Sequence, residues 1–96
     1  MIEIDPNDPH SLRRRRIHWR AHHRGLREAD MLVGGWWDRN GASLDAAGLD
    51  WFEELLEEQD VDILAWAMRR EPLPDRYAGP CADSFLAADY VSLPPR

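Results

Sequence analysis

The chain of 96 residues predicts an all-α fold, a small bundle of four to five short helices. Three observations carry this expectation. Apolar residues recur at i, i+3 and i+7 spacing in several stretches. No stretch alternates with period two for long enough to make a strand. Glycine, proline and Asn-Gly signals divide the chain into short segments. The length suits one domain, and a 44% hydrophobic fraction with five tryptophans supplies a modest core.

Residues 1–10 are polar, carry Pro6 and Pro9, and read as a flexible N-terminal tail. A first helix starts near Ser11, capped by Asp8 ahead of Pro9 or by Ser11 itself. Along "SLRRRRIHWRAHHR" the apolar residues are sparse: Leu12, Ile17, Trp19 and Ala21. Gly25 fits a helix stop in the left-handed conformation. A second helix over about residues 26–38 places Leu26, Ala29, Val33, Trp36 and Trp37 on one face. Gly34 and Gly35 each cost roughly 1 kcal/mol there relative to alanine, so a frayed or bent segment is expected. The adjacent Trp36 and Trp37 leave room for one exposed ring, a patch for a weak dimer or a second contact. "DRNGAS" reads as a turn. Ser43 is the expected N-cap of a third helix running to about Glu58. Its apolar face is Leu44, Ala47, Leu49, Phe52, Leu55 and Leu56, with Trp51 beside it. Glu53, Glu54, Glu57 and Glu58 form its solvated face. Asp60 caps a fourth helix through Ile63, Trp66 and Met68, with Arg69 and Arg70 suited to its C-terminal end. Pro72 and Pro74 stop it. After Gly79-Pro80 one short helix fits near residues 82–90. The helical domain is thus residues 11–90, and 91–96 read as a C-terminal tail. There is no internal repeat.

Net charge is −6, which argues against a general nucleic-acid binder. Seven of the twelve arginines lie within residues 13–27, and fourteen of the eighteen acids follow residue 29. Arg13, Arg14, Arg15 and Arg16 point in all directions around a helix and make no single reading face. Every cation is a guanidinium, suited to bidentate pairing with carboxylate. The single Cys81 excludes an internal disulfide and a cysteine-based zinc site, and reads as a half-buried small hydrophobe. No apolar run is long enough to span a bilayer. The acidic N-terminus lacks an apolar core, so neither signal nor transit peptide is expected and a cytoplasmic setting follows.

His18 and His22 are four apart on a helix and can reach one metal ion. A zinc site needs a third ligand, for which His10 or His23 can be nominated. Residue 19 is Trp where an HExxH motif has Glu, and surface histidines are the plainer reading. No nucleophile has a base partner, and there is no P-loop or GxGxxG. No enzyme active site is expected.

What remains is "HHRGLREAD", the join between the first two helices. Arg24 precedes the break, while Arg27 and Glu28 fall in the first turn of the next helix, where a carboxylate is favoured. Either Glu28 and the arginines pair locally and fix the corner, or Gly25 offers bare backbone that a partner approaches closely.

Together, "RIHWRAHHRGLREAD" and "LDWFEELLEEQDVDILAWAM" resemble the SdhE family, called succinate dehydrogenase assembly factor 2 in mitochondria. The hallmark of that family is an RGxxE motif, extended to RGxRELD, between the first two helices. Arg24, Gly25 and Glu28 match its fixed positions, and Arg27 and Asp30 match the extension. In the second block Leu55, Leu56, Glu57, Asp60, Asp62, Ile63 and Trp66 sit in register. The likeness covers about residues 16–70. Ala29 replaces the usual Leu, Trp36-Trp37-Asp38 stands for a Phe-Phe or Leu-Phe pair followed by an acid, and "RNGAS" replaces a loop that often carries a tyrosine.

The resemblance implies a non-enzymatic assembly chaperone. Such a factor binds the flavoprotein subunit of succinate dehydrogenase or fumarate reductase and promotes covalent attachment of FAD to a histidine of that subunit. It implies no cofactor bound tightly by the factor itself. It also implies a partner-binding set of Arg24, Gly25, Arg27 and Glu28. Gly25 would admit close approach, Arg24 would pair with partner carboxylates or carbonyls, and Glu28 would accept from partner donors or orient Arg24. The alternative is a protein-interaction adaptor of the same fold with another partner, antitoxin-like.

Overall fold

The computed structural model describes residues 3–87, and among them there is no strand. The helices are α1 (Ser11–Ala21), α2 (Arg27–Ala29), α3 (Gly35–Asn40), α4 (Ala46–Leu56), α5 (Asp60–Ala67) and α6 (Pro80–Ala87). A π turn, Asp30–Gly34, joins α2 to α3, so the expected second helix is one continuous helical path. Short 3-10 turns occupy Gly41–Ser43 and Asp75–Tyr77. The expected all-α bundle is what forms. Residues 88–90 of the expected last helix, and the expected tail at 91–96, lie outside the described residues.

The N-cap position of α1 is His10, which offers no side-chain cap. Asp8 serves the helix from two residues upstream instead of Ser11. Its Oδ1 accepts from the His10 amide at 2.8 Å, and its carbonyl accepts from the Ser11 amide at 2.9 Å. Its other carboxylate oxygen accepts from Arg14 Nε at 2.6 Å. The His10 amide first, and the Arg14 guanidinium second, hold the Asp8 carboxyl below the usual carboxylate range.

The sparse apolar face of α1 has a structural reason: its arginines make the contact with α4. Arg13 donates to Asp50 and Glu53, and Arg20 donates to Glu57 at 2.8 Å. Two glutamates of the expected solvated face are therefore in cross-helix ion pairs. Pairs this exposed contribute about 0–1 kcal/mol each. Arg14 is different, because it is buried. Its Nη1 donates to the Gly41 carbonyl and its Nη2 to the Leu44 carbonyl at 2.7 Å, so the charge is supplied with acceptors on every side.

The core is built on aromatic rings. Trp36 and Trp37 are both buried, so neither ring is left as a patch for a dimer or a second contact. Phe52 of α4 stacks near-parallel to each, with centroids at 5.3 Å in both pairs. Each indole N–H also finds an acceptor: Ser84 Oγ at 3.0 Å for Trp36, and His18 Nδ1 at 3.1 Å for Trp37. Burial therefore strands no polar group, and each aromatic pair adds about 0.5–1.5 kcal/mol beyond its buried area.

The glycines in this region do not break the helix. A Cβ on Gly34 would lie 2.6 Å from His22 Nδ1 and 3.2 Å from the Ala21 carbonyl oxygen. The π turn and its last residue, Gly34, bring α1 against this helix more closely than any side chain allows. Gly41 has ordinary helical dihedrals (φ −59, ψ −36), yet a Cβ there would meet the Trp37 ring at 2.6 Å.

Ser43 does not cap α4. Its hydroxyl donates to the Asn40 carbonyl at 2.9 Å, and Asp45 is the N-cap, accepting from the Gly48 amide at 2.8 Å. The N-cap of α5 is Gln59, not Asp60, which is the first helical residue. After α5, Arg69 takes the left-handed conformation (φ 59), and the Arg70 amide turns back to the Ala65 carbonyl at 2.8 Å. Tyr77, for which local pattern offers no role, is buried edge-on against Trp51. Its hydroxyl donates to Glu58 at 2.7 Å, and Trp51 Nε1 donates to its carbonyl at 2.9 Å. Cys81 is half-buried against the core, and burial, with Asp45 adding to it, pushes its thiol up. It is the expected small hydrophobe.

Gly41→Ala tests the close packing. Alanine favours a helix by nearly 1 kcal/mol, but the buried Trp37 ring has nowhere to go. Chemical denaturation is expected to show a net loss of about 1–3 kcal/mol. A stabilised variant would contradict the packing argument.

Candidate functional site: the corner between α1 and α2

The join is an open, extended corner and not a left-handed helix stop. His22 ends α1 with φ −101 and ψ 3, and Leu26 is extended at φ −114 and ψ 139. Among the described residues the glycine with positive φ is Gly79, not Gly25. The expectation of a left-handed Gly25 is therefore corrected. A corner without a left-handed glycine stop must be held by other means.

Arg24 holds it. Its Nε donates to Asp60 Oδ1 at 2.8 Å, its Nη1 to the Leu56 carbonyl at 2.7 Å and its Nη2 to the Glu58 carbonyl at 2.8 Å. The two carbonyls lie at and just past the C-terminal end of α4, where acceptors lack helical partners and a cation is favoured. Asp60 lies in the first turn of α5, where a carboxylate is favoured. Its second oxygen accepts from the Gly25 amide at 2.9 Å. Asp30 accepts from the Arg24 amide at 2.5 Å. The side chains of Arg24 and Asp60 are only 11% and 17% exposed.

These bonds divide the expected site residues into two groups. The Arg24 guanidinium is turned inward, and Asp60, not Glu28, orients it. Gly25, Arg27 and Glu28 are exposed, with Leu26 between them, and neither Arg27 nor Glu28 takes part in the clamp. Gly25 has a second constraint as well, since a Cβ there would sit 3.2 Å from Asp60 Oδ2. Beside the corner lies an open cleft of about 440 Å³, bordered by Trp19, His23, Gly25 and Asp60 among others. Trp19 is 61% exposed and stacks flat on His23, with centroids 4.1 Å apart and planes 8° apart.

Sequence reasoning took Asp60 for a helix cap and missed it as the counter-ion of the corner. The available signal was that Asp60 lies within the second of the two sequence blocks and Arg24 within the first. Neither His10 nor His23, the nominated third ligands, joins His18 and His22. His23 Nδ1 lies 2.6 Å from the Trp19 carbonyl, away from His18 and His22. The group that joins His18 and His22 is Asp38, whose Oδ1 is 2.9 Å from His22 Nε2. Burial first, and the neighbouring His22 second, hold the His18 pKa below the ordinary imidazole value.

A sequence profile of the family described as flavinator of succinate dehydrogenase matches residues 15–88. The FAD assembly factor SdhE of Acetobacter pasteurianus is 41% identical over 68 residues, covering 71% of this chain and 62% of that protein. The mitochondrial succinate dehydrogenase assembly factor 2 of Saccharomyces cerevisiae is 32% identical over 84 residues, covering 80% of this chain and 52% of that protein. The chain thus spans between 52% and 62% of the length of these two relatives. No solved structure gives a significant match.

The clamp predicts a split in stability. Arg24→Ala is expected to cost about 2 kcal/mol in chemical denaturation, since it removes charge-assisted bonds and strands their acceptors. Arg24→Lys recovers only part of that loss, because one ammonium cannot reproduce the planar fork. Glu28→Ala is expected to stay within about 0.5 kcal/mol of the parent, as an exposed change does. Equal losses for Arg24→Ala and Glu28→Ala would contradict the division.

Proposed function

Because this chain belongs to the family of succinate dehydrogenase flavinators, we propose that it is an assembly chaperone for a flavoprotein. In this reading it binds the flavoprotein subunit of succinate dehydrogenase or fumarate reductase and promotes covalent attachment of FAD to that subunit. The observation that carries the reading is the exposed strip of Gly25, Leu26, Arg27 and Glu28, mounted on the Arg24–Asp60 clamp.

The clamp gives the strip its use. A corner already held by internal bonds has little conformational freedom left to lose on binding. It offers a partner open backbone at Gly25, a guanidinium at Arg27 and a carboxylate at Glu28. Arg24 contributes as a positioning residue, since its donors face inward. The factor then works by favouring a partner conformation in which the acceptor histidine and the flavin are aligned. The bond itself forms by the flavoprotein's own chemistry, and the FAD stays with the partner. The chain acts as a chaperone and not as a catalyst. No helix among the described residues is long and apolar enough to cross a membrane, and the cytoplasm is the compartment this reading assigns.

Co-expression with the flavoprotein subunit, read by in-gel flavin fluorescence, tests the proposal. The chain is expected to raise covalent flavin above that of the subunit alone. Glu28→Ala is expected to abolish most of that gain with its own unfolding curve unchanged. Absence of any gain with the parent chain would overturn the proposal. Glu28 is a cleaner probe than Gly25, because a side chain at position 25 also presses on Asp60.

A further inference from the structure

We propose that His18, His22 and Asp38 form a binding site for a divalent transition-metal ion of the zinc class, joining α1 to α3. The site shares none of Arg24, Gly25, Arg27, Glu28 or Asp60 and does not depend on the chaperone reading.

His18 lies in the last turn of α1 and His22 caps its C-terminal end four residues on, with ring centroids 4.7 Å apart. Asp38 of α3 projects its carboxylate between them. Its Oδ1 lies 2.9 Å from His22 Nε2 and 4.0 Å from His18 Nδ1, and the three donor atoms all fall within 4.8 Å of one another. Tetrahedral zinc, with bonds of about 2.0–2.2 Å, asks for donors about 3.3 Å apart. The observed separations run from 2.9 Å to at most 4.8 Å, so binding requires side-chain rotation that draws the three donors together. The three side chains are 27%, 32% and 34% exposed, which leaves solvent access for water to complete the coordination.

The donor set selects the ion. Two imidazoles and one carboxylate suit zinc and its neighbours, whereas magnesium and calcium require oxygen ligands. The scaffold is also set before any ion arrives. Gly34 lets the His22 ring lie directly against the π turn, and Trp37, next to Asp38, is locked in the core. One contact works against the ion. Trp37 Nε1 donates to His18 Nδ1 at 3.1 Å, and a metal bound at that nitrogen takes the lone pair. The competition lowers affinity, and it makes the emission of a buried tryptophan sensitive to occupancy.

The test is titration of the full chain with zinc ion by calorimetry and tryptophan emission, with cobalt absorption as a second readout. One equivalent is expected to bind, to change tryptophan emission and to raise Tm, since the ion stabilises the folded state that holds the site. Asp38→Asn and His22→Gln are each expected to weaken zinc binding by more than about tenfold, the scale at which even outer-shell changes register. Thermal unfolding without metal verifies that each variant is folded. In the parent chain, zinc is expected to shift the imidazole resonances of His18 and His22 and to leave those of His10 and His23 in place. This readout needs no variant. No binding by the parent, undiminished binding by both variants, or the opposite resonance pattern would overturn the proposal.

Discussion

The bond set of one guanidinium organises this molecule. Arg24 reaches from the α1–α2 join to the open carbonyls ending α4 and to the first carboxylate of α5. Three helix ends meet there, each with an unmet electrostatic need: orphan acceptors at one, a favoured anion at another, an unsupported extended corner at the third. Few side chains other than arginine can serve all three, because the fork is planar and its donors diverge. The exposed strip at residues 25–28 is shaped from beneath. Its form depends on charges that a partner would scarcely touch.

The same logic runs along α1. A helix with so few apolar residues is a poor candidate for packing on hydrophobicity alone. Arg13, Arg20 and Arg24 instead meet successive acids and carbonyls of α4 and its end. Arg14 is buried and bonded to Asp8 and to carbonyls of the segment before α4. Beneath this polar layer lies the aromatic core of Trp36, Trp37 and Phe52, which supplies the main driving force. The polar layer fixes how α1 sits, and the rings fix that it sits at all.

What could be read in the sequence follows the range of the interaction responsible. α4 was legible because its apolar periodicity is strong and local, and α5 because a largely apolar run sits between Asp60 and the prolines at 72 and 74. Arg24 and Asp60 stand in the two recognisable sequence blocks, and the bond between them gives a physical reason for the two blocks to occur together. The partner of Arg24 was not legible, being 36 residues away. Gly34 misled for a related reason. Propensity reads a glycine as a breaker, but here it makes room for the His22 ring from the end of α1. Asp45 displaced Ser43 as cap because the 3-10 turn delays the start of α4. The burial of Tyr77 depends on Trp51 and Glu58, which no local window contains.

The central claim is that the corner is held by the Arg24–Asp60 pair. A double-mutant cycle with Arg24→Ala, Asp60→Ala and the double variant, read by chemical denaturation, isolates that coupling. The pair is direct and mostly buried, so a favourable coupling above about 1 kcal/mol is expected, within the range for contacting residues. Additivity within about 0.3–0.5 kcal/mol would mean the two groups act independently, and the account of the corner would be contradicted.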